Sequence, residues 1–235
     1  MLTANFKETI NALTRRRHTV AEAPVRPHAV GLREMMNKND LIQLREWKQL
    51  QFNDPVFILK ELRMLELQLA GVTLAEEVRT LRTGGLKVYR EGRDAALFCL
   101  GMAKITGNKV YFALHESQDY DFVTVWQCGD ELNYTPVQLK EVVRDSLNPN
   151  ANVNATLQKL TKYHGSNRTT AAVIINREMR LEFSKIHFPE VQMGGVWIYG
   201  TLSPDQSRWF IYGDLQKEPL LWEYEYPSDP TDVTA

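Results

Sequence analysis

The chain lacks long apolar runs, has only two cysteines and carries almost no net charge, and each shortage removes a class of protein. Its longest apolar stretches, around Phe57 to Leu59 and Ala171 to Ile175, fall far short of the ~20 residues that span a bilayer. No membrane anchor is expected. The N-terminal stretch MLTANFKETINALTRRRH has its arginines after its modest apolar content, the reverse of an export signal. Cys99 and Cys128 lack the close spacing of a metal knuckle or a redox pair. Free thiols in a reducing interior, and hence a cytoplasmic protein, are the expectation. A glycine loop between strand and helix that would cradle phosphate is missing too, because Gly194-Gly195 lacks that context. With 28 basic and 29 acidic side chains the net charge is −1, which neither demands nor excludes a polyanionic partner.

What is present is globular. A hydrophobic content of 43% with 24% charged residues over 235 positions excludes disorder and collagen-like architecture. That length builds one substantial core, or one domain with an appended subdomain. Charge is unevenly spread: residues 1–50 hold nine Lys/Arg and five Asp/Glu, whereas residues 201–235 hold two and seven. The basic end includes Arg15, Arg16 and Arg17. Such a run offers contacts to phosphate, although a solvated helix end is its commoner meaning.

Periodicity divides the chain into three regions. Leu41, Leu44 and Trp47 recur at helical spacing; then Asn53-Asp54-Pro55 reads as a helix start, and Ile58, Leu62, Leu65 and Leu69 form a second stripe. Pro24 to Pro27 separates a short N-terminal helix from these, and Gly84-Gly85 closes the helical part with a turn. In the second region, Ala95, Phe98, Cys99, Met102 and Ile105 share one helical face and Gly107 stops the helix, which spans about 92–106. KVYFALH (109–115), DFVTVW (121–126) and YTPVQLKEVV (134–143) are strand-like, with Cys128-Gly129-Asp130 as a turn, so an antiparallel meander is expected. NATLQKLTKY (154–163) looks helical, and TTAAVII (169–175) is a buried strand. The order is α-β-β-β-α-β. The third region adds VWIYGTL (196–202), WFIYGD (209–214) and LLWEYEY (220–226) as further strands. Its tryptophans, Trp197, Trp209 and Trp222, are expected to fill a core rather than stack bases.

The chemistry-bearing residues lie on the middle strands. Alternation puts Gln138 and Lys140 on one face of their strand and Val137 and Leu139 on the other. A turn near Gly129 folds Asp121 back beside them. An aspartate at one strand's start, with a polar residue and a lysine two apart on its neighbour, seats a divalent cation through oxygen ligands, and the lysine polarises water or steadies a phosphate. His115 and Glu116 end the preceding strand close to Asp121, and Lys159, Lys162 and His164 lie on or after the following helix; each is more simply a solvated surface residue. Neither Cys99, on an apolar helix face, nor Cys128, in a turn, has the surroundings of a nucleophile.

With Asp121 and the Gln138-Leu139-Lys140 triplet in that element order, residues 91–176 resemble the PD-(D/E)xK, or restriction-endonuclease-like, nuclease superfamily in its QxK form. The resemblance implies a mixed α/β (α+β) restriction-endonuclease-like core over 86–235 with extra C-terminal strands, behind a helical N-terminal region over 1–85. It implies a Mg²⁺- or Mn²⁺-dependent endonuclease that hydrolyses DNA in restriction, repair or mobile-element biology, with Asp121, Gln138 and a first-helix acid around the metal and Lys140 assisting water attack. Glu91 and Asp94 stand almost equal as that acid, and either one also serves simply as negative charge at a helix N-terminus. A homodimer is implied if both strands of a duplex are cut. The proline that names the motif is absent before Asp121, where Asp119-Tyr120 stands. A fold that has lost part of the site and binds nucleic acid or protein without cleavage is the alternative.

Overall fold

Asp54 starts a helix because its carboxylate accepts hydrogen bonds from the Val56 and Phe57 N–H groups, at 2.8 and 3.4 Å. Pro55 then fills the first helical position, where an N–H would go unpaired. This computed structural model describes residues 38–69, 73, 75, 78, 81–82, 86–163 and 166–228. The expected N-terminal helix, Arg15 to Arg17, the Pro24 to Pro27 break, Gly84-Gly85 and His164 lie outside the described residues. Among the described residues three helices precede the sheet: α1 (Lys38–Trp47), α2 (Pro55–Leu69) and α3 (Lys87–Thr106). Trp47 of α1 reaches the body of the protein, its indole N–H donating to the Tyr120 hydroxyl at 3.1 Å.

α3 begins at Lys87 rather than near Gly92. Leu86 and Tyr89 pack with Leu65 of α2, and Lys87 pairs with Glu91 one turn on at 3.3 Å, so the first turns are held by contacts that the Ala95 stripe does not report. The far end is as expected. Gly107 adopts φ +70° and donates its N–H to the Ala103 carbonyl, a left-handed cap that a side chain would strain.

Seven strands form one curled sheet in sequence order. They are β1 (Val110–Leu114), β2 (Phe122–Cys128), β3 (Glu131–Val142), β4 (Ser166–Ile175), β5 (Met193–Thr201), β6 (Arg208–Gly213) and β7 (Leu220–Glu225). β3, β4 and β5 run parallel and every other neighbouring pair is antiparallel. Between β3 and β4 lies α4 (Val153–Gln158), capped by the Asn152 side chain on the Ala155 N–H. It continues as a 3₁₀ turn over Lys159–Lys162, where one unbroken helix over 154–163 is expected. The reason is in the spacing: the buried residues Leu157, Leu160 and Tyr163 recur every third position, the repeat of a 3₁₀ helix. The helix, three strands, helix, strand order and the β1–β3 meander are present in a mixed α+β architecture.

Each face of the sheet has its own core. α3 lies in the curl, in contact with both edge strands β1 and β7, over Phe112, Phe122, Tyr199 and Ile211. Tyrosine hydroxyls tie the layers: Tyr199 donates to the Asp94 carbonyl and Tyr224 to the Leu97 carbonyl, each at 3.0 Å. On the opposite face, Leu157 and Leu160 pack with Val173, Ile198 and Phe210. Trp209 is 2% exposed, and Trp197 and Trp222 pack against the α3-side core. Among the described residues no helix is long and apolar enough to cross a membrane.

Candidate functional site

The site forms where two strands part. β2 begins at Phe122, opposite Val137, while β3 runs on to Val142, so the β2-facing edge of β3 beyond Val137 has no strand partner. Asp121 fills that gap. Its main-chain N–H donates to the Val137 carbonyl at 2.9 Å, and its Oδ2 accepts from the Leu139 N–H at 2.6 Å and from the Gln138 side-chain amide. Both strands position these groups through ladder geometry rather than through mobile loops. Burial pushes the Asp121 carboxyl above its usual range, outweighing the Leu139 N–H bond and the Lys140 charge that pull it down.

Lys140 shares the Gln138 face and turns toward α4. Its ammonium donates to the Tyr163 hydroxyl at 2.8 Å and stands 5.0 Å from the centre of that ring, as does the Lys162 ammonium. An aromatic face attracts a cation without neutralising it. Two positive charges therefore meet at one tyrosine beside the fork.

The two candidate helix acids separate. Glu91 binds Lys87, which also pairs with Glu116 at 3.6 Å, and the charges of Lys87 and Glu116 act on Asp121. Asp94 is 8% exposed on the α3 side, where Arg93, Glu141, Arg90 and Arg82 act on it. There Glu141 accepts from Arg82 and, at 2.8 Å, from Asn176. Glu91 is thus linked to Asp121 through Lys87, whereas Asp94 belongs to a separate charged cluster. With α3 starting at Lys87, Glu91 lies in the second turn; the first turn holds no acid, so the role of negative charge at a helix N-terminus falls away. His115 touches Asp121 through its main chain, its N–H donating to the Asp121 carbonyl at 3.2 Å, and its ring lies 5.9 Å from that of Tyr120.

Sequence reasoning missed Tyr163 and Lys87. Tyr163 continues the every-third-residue stripe of Leu157 and Leu160, which is a signal for burial, but its contact with Lys140 crosses from helix to strand. Lys87 sits one helical turn before Glu91, an i,i+4 pairing visible in the sequence, but it lies ahead of the apolar face that announces the helix. Gly194 has a steric purpose: a Cβ there would come within 2.9 Å of the Arg168 carbonyl.

The oxygens at the fork suit a hard divalent cation. Among the described residues Asp121 Oδ1 and Gln138 Oε1 accept no hydrogen bond, and the Leu139 carbonyl lies on the same strand edge as the Leu139 N–H that Asp121 binds. Only one of these groups is a carboxylate, and among the described residues no cluster of three or more His, Cys, Asp or Glu is suited to a metal. The donor set fits a weakly held Mg²⁺ or Mn²⁺ better than a tight structural ion. No protein-family model matches the chain, and no curated protein or solved structure matches it.

Proposed function

We propose that the Asp121 fork is the active site of a metal-dependent endonuclease that hydrolyses DNA phosphodiester bonds. One observation carries the proposal: the parting of β2 and β3 brings an aspartate onto the Gln138-Leu139-Lys140 triplet, with its carboxyl bound to the first two residues and under the charge of the third. The α-β-β-β-α-β element order and the antiparallel-then-parallel pairing through β4 support a restriction-endonuclease-like core. Asp121 and Gln138 would hold Mg²⁺ or Mn²⁺ with the Leu139 carbonyl, and Glu91 joins them once Lys87 is drawn off it. A cation held there would supply Lewis acidity toward the phosphoryl group and toward the attacking water. Lys140 orients the attacking water and stabilises the negative charge that grows on the phosphoryl oxygens, a role that Lys162 supports from the other side of Tyr163.

A second reading has its own support. Gln138 brings no charge to the fork, and Lys87 lies between Glu91 and Glu116 as a ready substitute for a metal, as in a fold that binds nucleic acid or protein without cutting. A cleavage assay on single-stranded, duplex and branched DNA with Mg²⁺, Mn²⁺ or chelator separates the two. Cleavage that needs a divalent cation and disappears in Lys140→Ala, with circular dichroism unchanged, is expected. Cleavage by Lys140→Ala at the parental single-turnover rate sinks the mechanism, and binding without cleavage under every condition favours the second reading.

A further inference from the structure

The concave face holds a cavity that the Asp121 fork does not use. Where the C-terminal half of α3 crosses the sheet, the side chains beneath it are small: Thr124 faces Thr135 across β2 and β3, and Thr170 pairs with Gly195 across β4 and β5. They leave a space of about 220 Å³, larger than the ~150 Å³ that holds a benzene in an engineered apolar cavity. A one- or two-ring heterocycle fits. Phe98, Trp126 and Trp197 line it, giving flat faces on which a ring can stack.

Polar groups converge there. Thr170 is 8% exposed, and among the described residues its hydroxyl and the Trp197 indole N–H make no hydrogen bond within the protein, which leaves both open to a ligand. Asp214 is equally buried; its Oδ1 accepts from the Val196 and Gln216 N–H groups at 2.9 and 3.2 Å, and its Oδ2 pairs with the Lys217 ammonium at 3.5 Å. A Cβ on Gly195 would lie 3.0 Å from Trp197 Nε1 and 3.6 Å from Asp214 Oδ2, so this donor and this acceptor meet over one glycine. At the rim stand Arg168 and Lys217, with side chains 51% and 77% exposed and paired at 3.1 and 3.5 Å to Asp40 and Asp214. The carboxylates of these pairs are 17% and 7% exposed, so the two cations are held from beneath while their outer sides remain open to a ligand anion. An apolar slot with a few convergent polar groups is the general form of a small-molecule site.

We propose that this cavity binds a nucleoside monophosphate. The base lies against Phe98 and Trp126, its polar edge meets the Thr170 hydroxyl and Trp197 Nε1, and the phosphate rests at the rim by Arg168 and Lys217, which Asp214 holds in place from beneath. The proposal is independent of the nuclease reading: the floor residues face α3, whereas Gln138 and Lys140 face α4. The same chemistry is offered by a free mononucleotide and by the terminal nucleotide of a strand.

Calorimetry and tryptophan fluorescence on the full chain test it, with AMP, CMP, adenosine, inorganic phosphate and a 5′-phosphorylated oligothymidylate as probes. One monophosphate should bind saturably at one site, more tightly than adenosine, and inorganic phosphate should not displace it. Thr170→Val, close to isosteric, should weaken binding about fivefold, the loss of one neutral hydrogen bond, and Trp197→Phe, which also removes a ring from the cavity wall, should weaken it at least as much. Thr135→Met, which fills the space, should abolish it. The tighter of the mononucleotide and the oligonucleotide identifies the source. The proposal is overturned if no probe binds saturably at millimolar concentration, if phosphate alone binds as well as AMP, or if binding survives in a folded Thr135→Met protein.

Discussion

Asp94 is a carboxyl group held in an apolar setting among other charges. Burial is the largest influence on it and pushes its pKa from 3.8 up to about 7, against the pull of Arg93, Arg90 and Arg82 and with the push of Glu141. The folded protein therefore keeps a proton that the unfolded chain releases between about pH 4 and pH 7. Stability from this group is complete below about pH 4 and is lost as pH rises through about 7, by up to roughly 4 kcal/mol. Asp94→Asn keeps the shape and removes the titration. Urea denaturation should show the variant gaining on the parent between pH 4 and pH 8, and a constant difference across that range would mean that Asp94 is ionised throughout. The contrast with Glu91 marks what the sequence could resolve at this scale. Gln138 and Lys140 share a face because alternation in a strand is obligatory, and Asp121 is brought beside them by a short turn. Which helix acid accompanies them depends on helix phase, on the Lys87–Glu91 ion pair and on the charges of Arg93, Arg90, Arg82 and Glu141 around Asp94. The influence of Arg82 and Glu141 is tertiary and leaves no periodic trace.

The start of α2 is a local device. Asp54 satisfies two of the N–H groups that a helix start leaves open, and its replacement by alanine should cost about 1 kcal/mol, seen as a lower urea midpoint with an unchanged slope. A change under about 0.3 kcal/mol would mean that water caps the helix as well as the side chain does. Starts and stops written in such residues were legible: Asp54-Pro55 and Gly107 fall where expected, and strands β1 to β7 fall within a few residues of their apolar runs. Boundaries set by packing were not. α3 gains its first turns from Leu86 and Tyr89 on Leu65, and α4 changes its winding after Gln158 because the buried residues come three apart. β4 starts at Ser166, across a register shift before Thr170, a departure from regular alternation that no apolar run announces.

For the whole molecule the sheet order equals the chain order, so every crossover is short-range in the sheet, yet the curl around α3 follows from contacts between α3 and both edges that sequence patterning does not encode. Charge is the property of the whole chain that the sequence does state. Residues 51–200 carry 17 basic and 17 acidic side chains, and the excess of positive charge lies in residues 1–50. A protein with net charge −1 draws little on long-range attraction to a polyanion, so the proposed binding of DNA at the fork would rely on local cations: Lys140 and Lys162 there, and the Arg15-Arg16-Arg17 run, which lies outside the described residues. Each side chain that meets a phosphate releases condensed counterions and adds about 0.9 to the steepness with which log K falls against log salt. Changing Arg15, Arg16 and Arg17 together to alanine in the full chain should therefore flatten the salt dependence of duplex binding, by about 0.9 for each arginine that touches the backbone. Circular dichroism should not change, and metal-dependent cleavage of bound DNA should persist at saturating protein. A slope identical to the parent's would assign the run to a solvated surface and leave the phosphate contacts to Lys140, Lys162 and the bound cation.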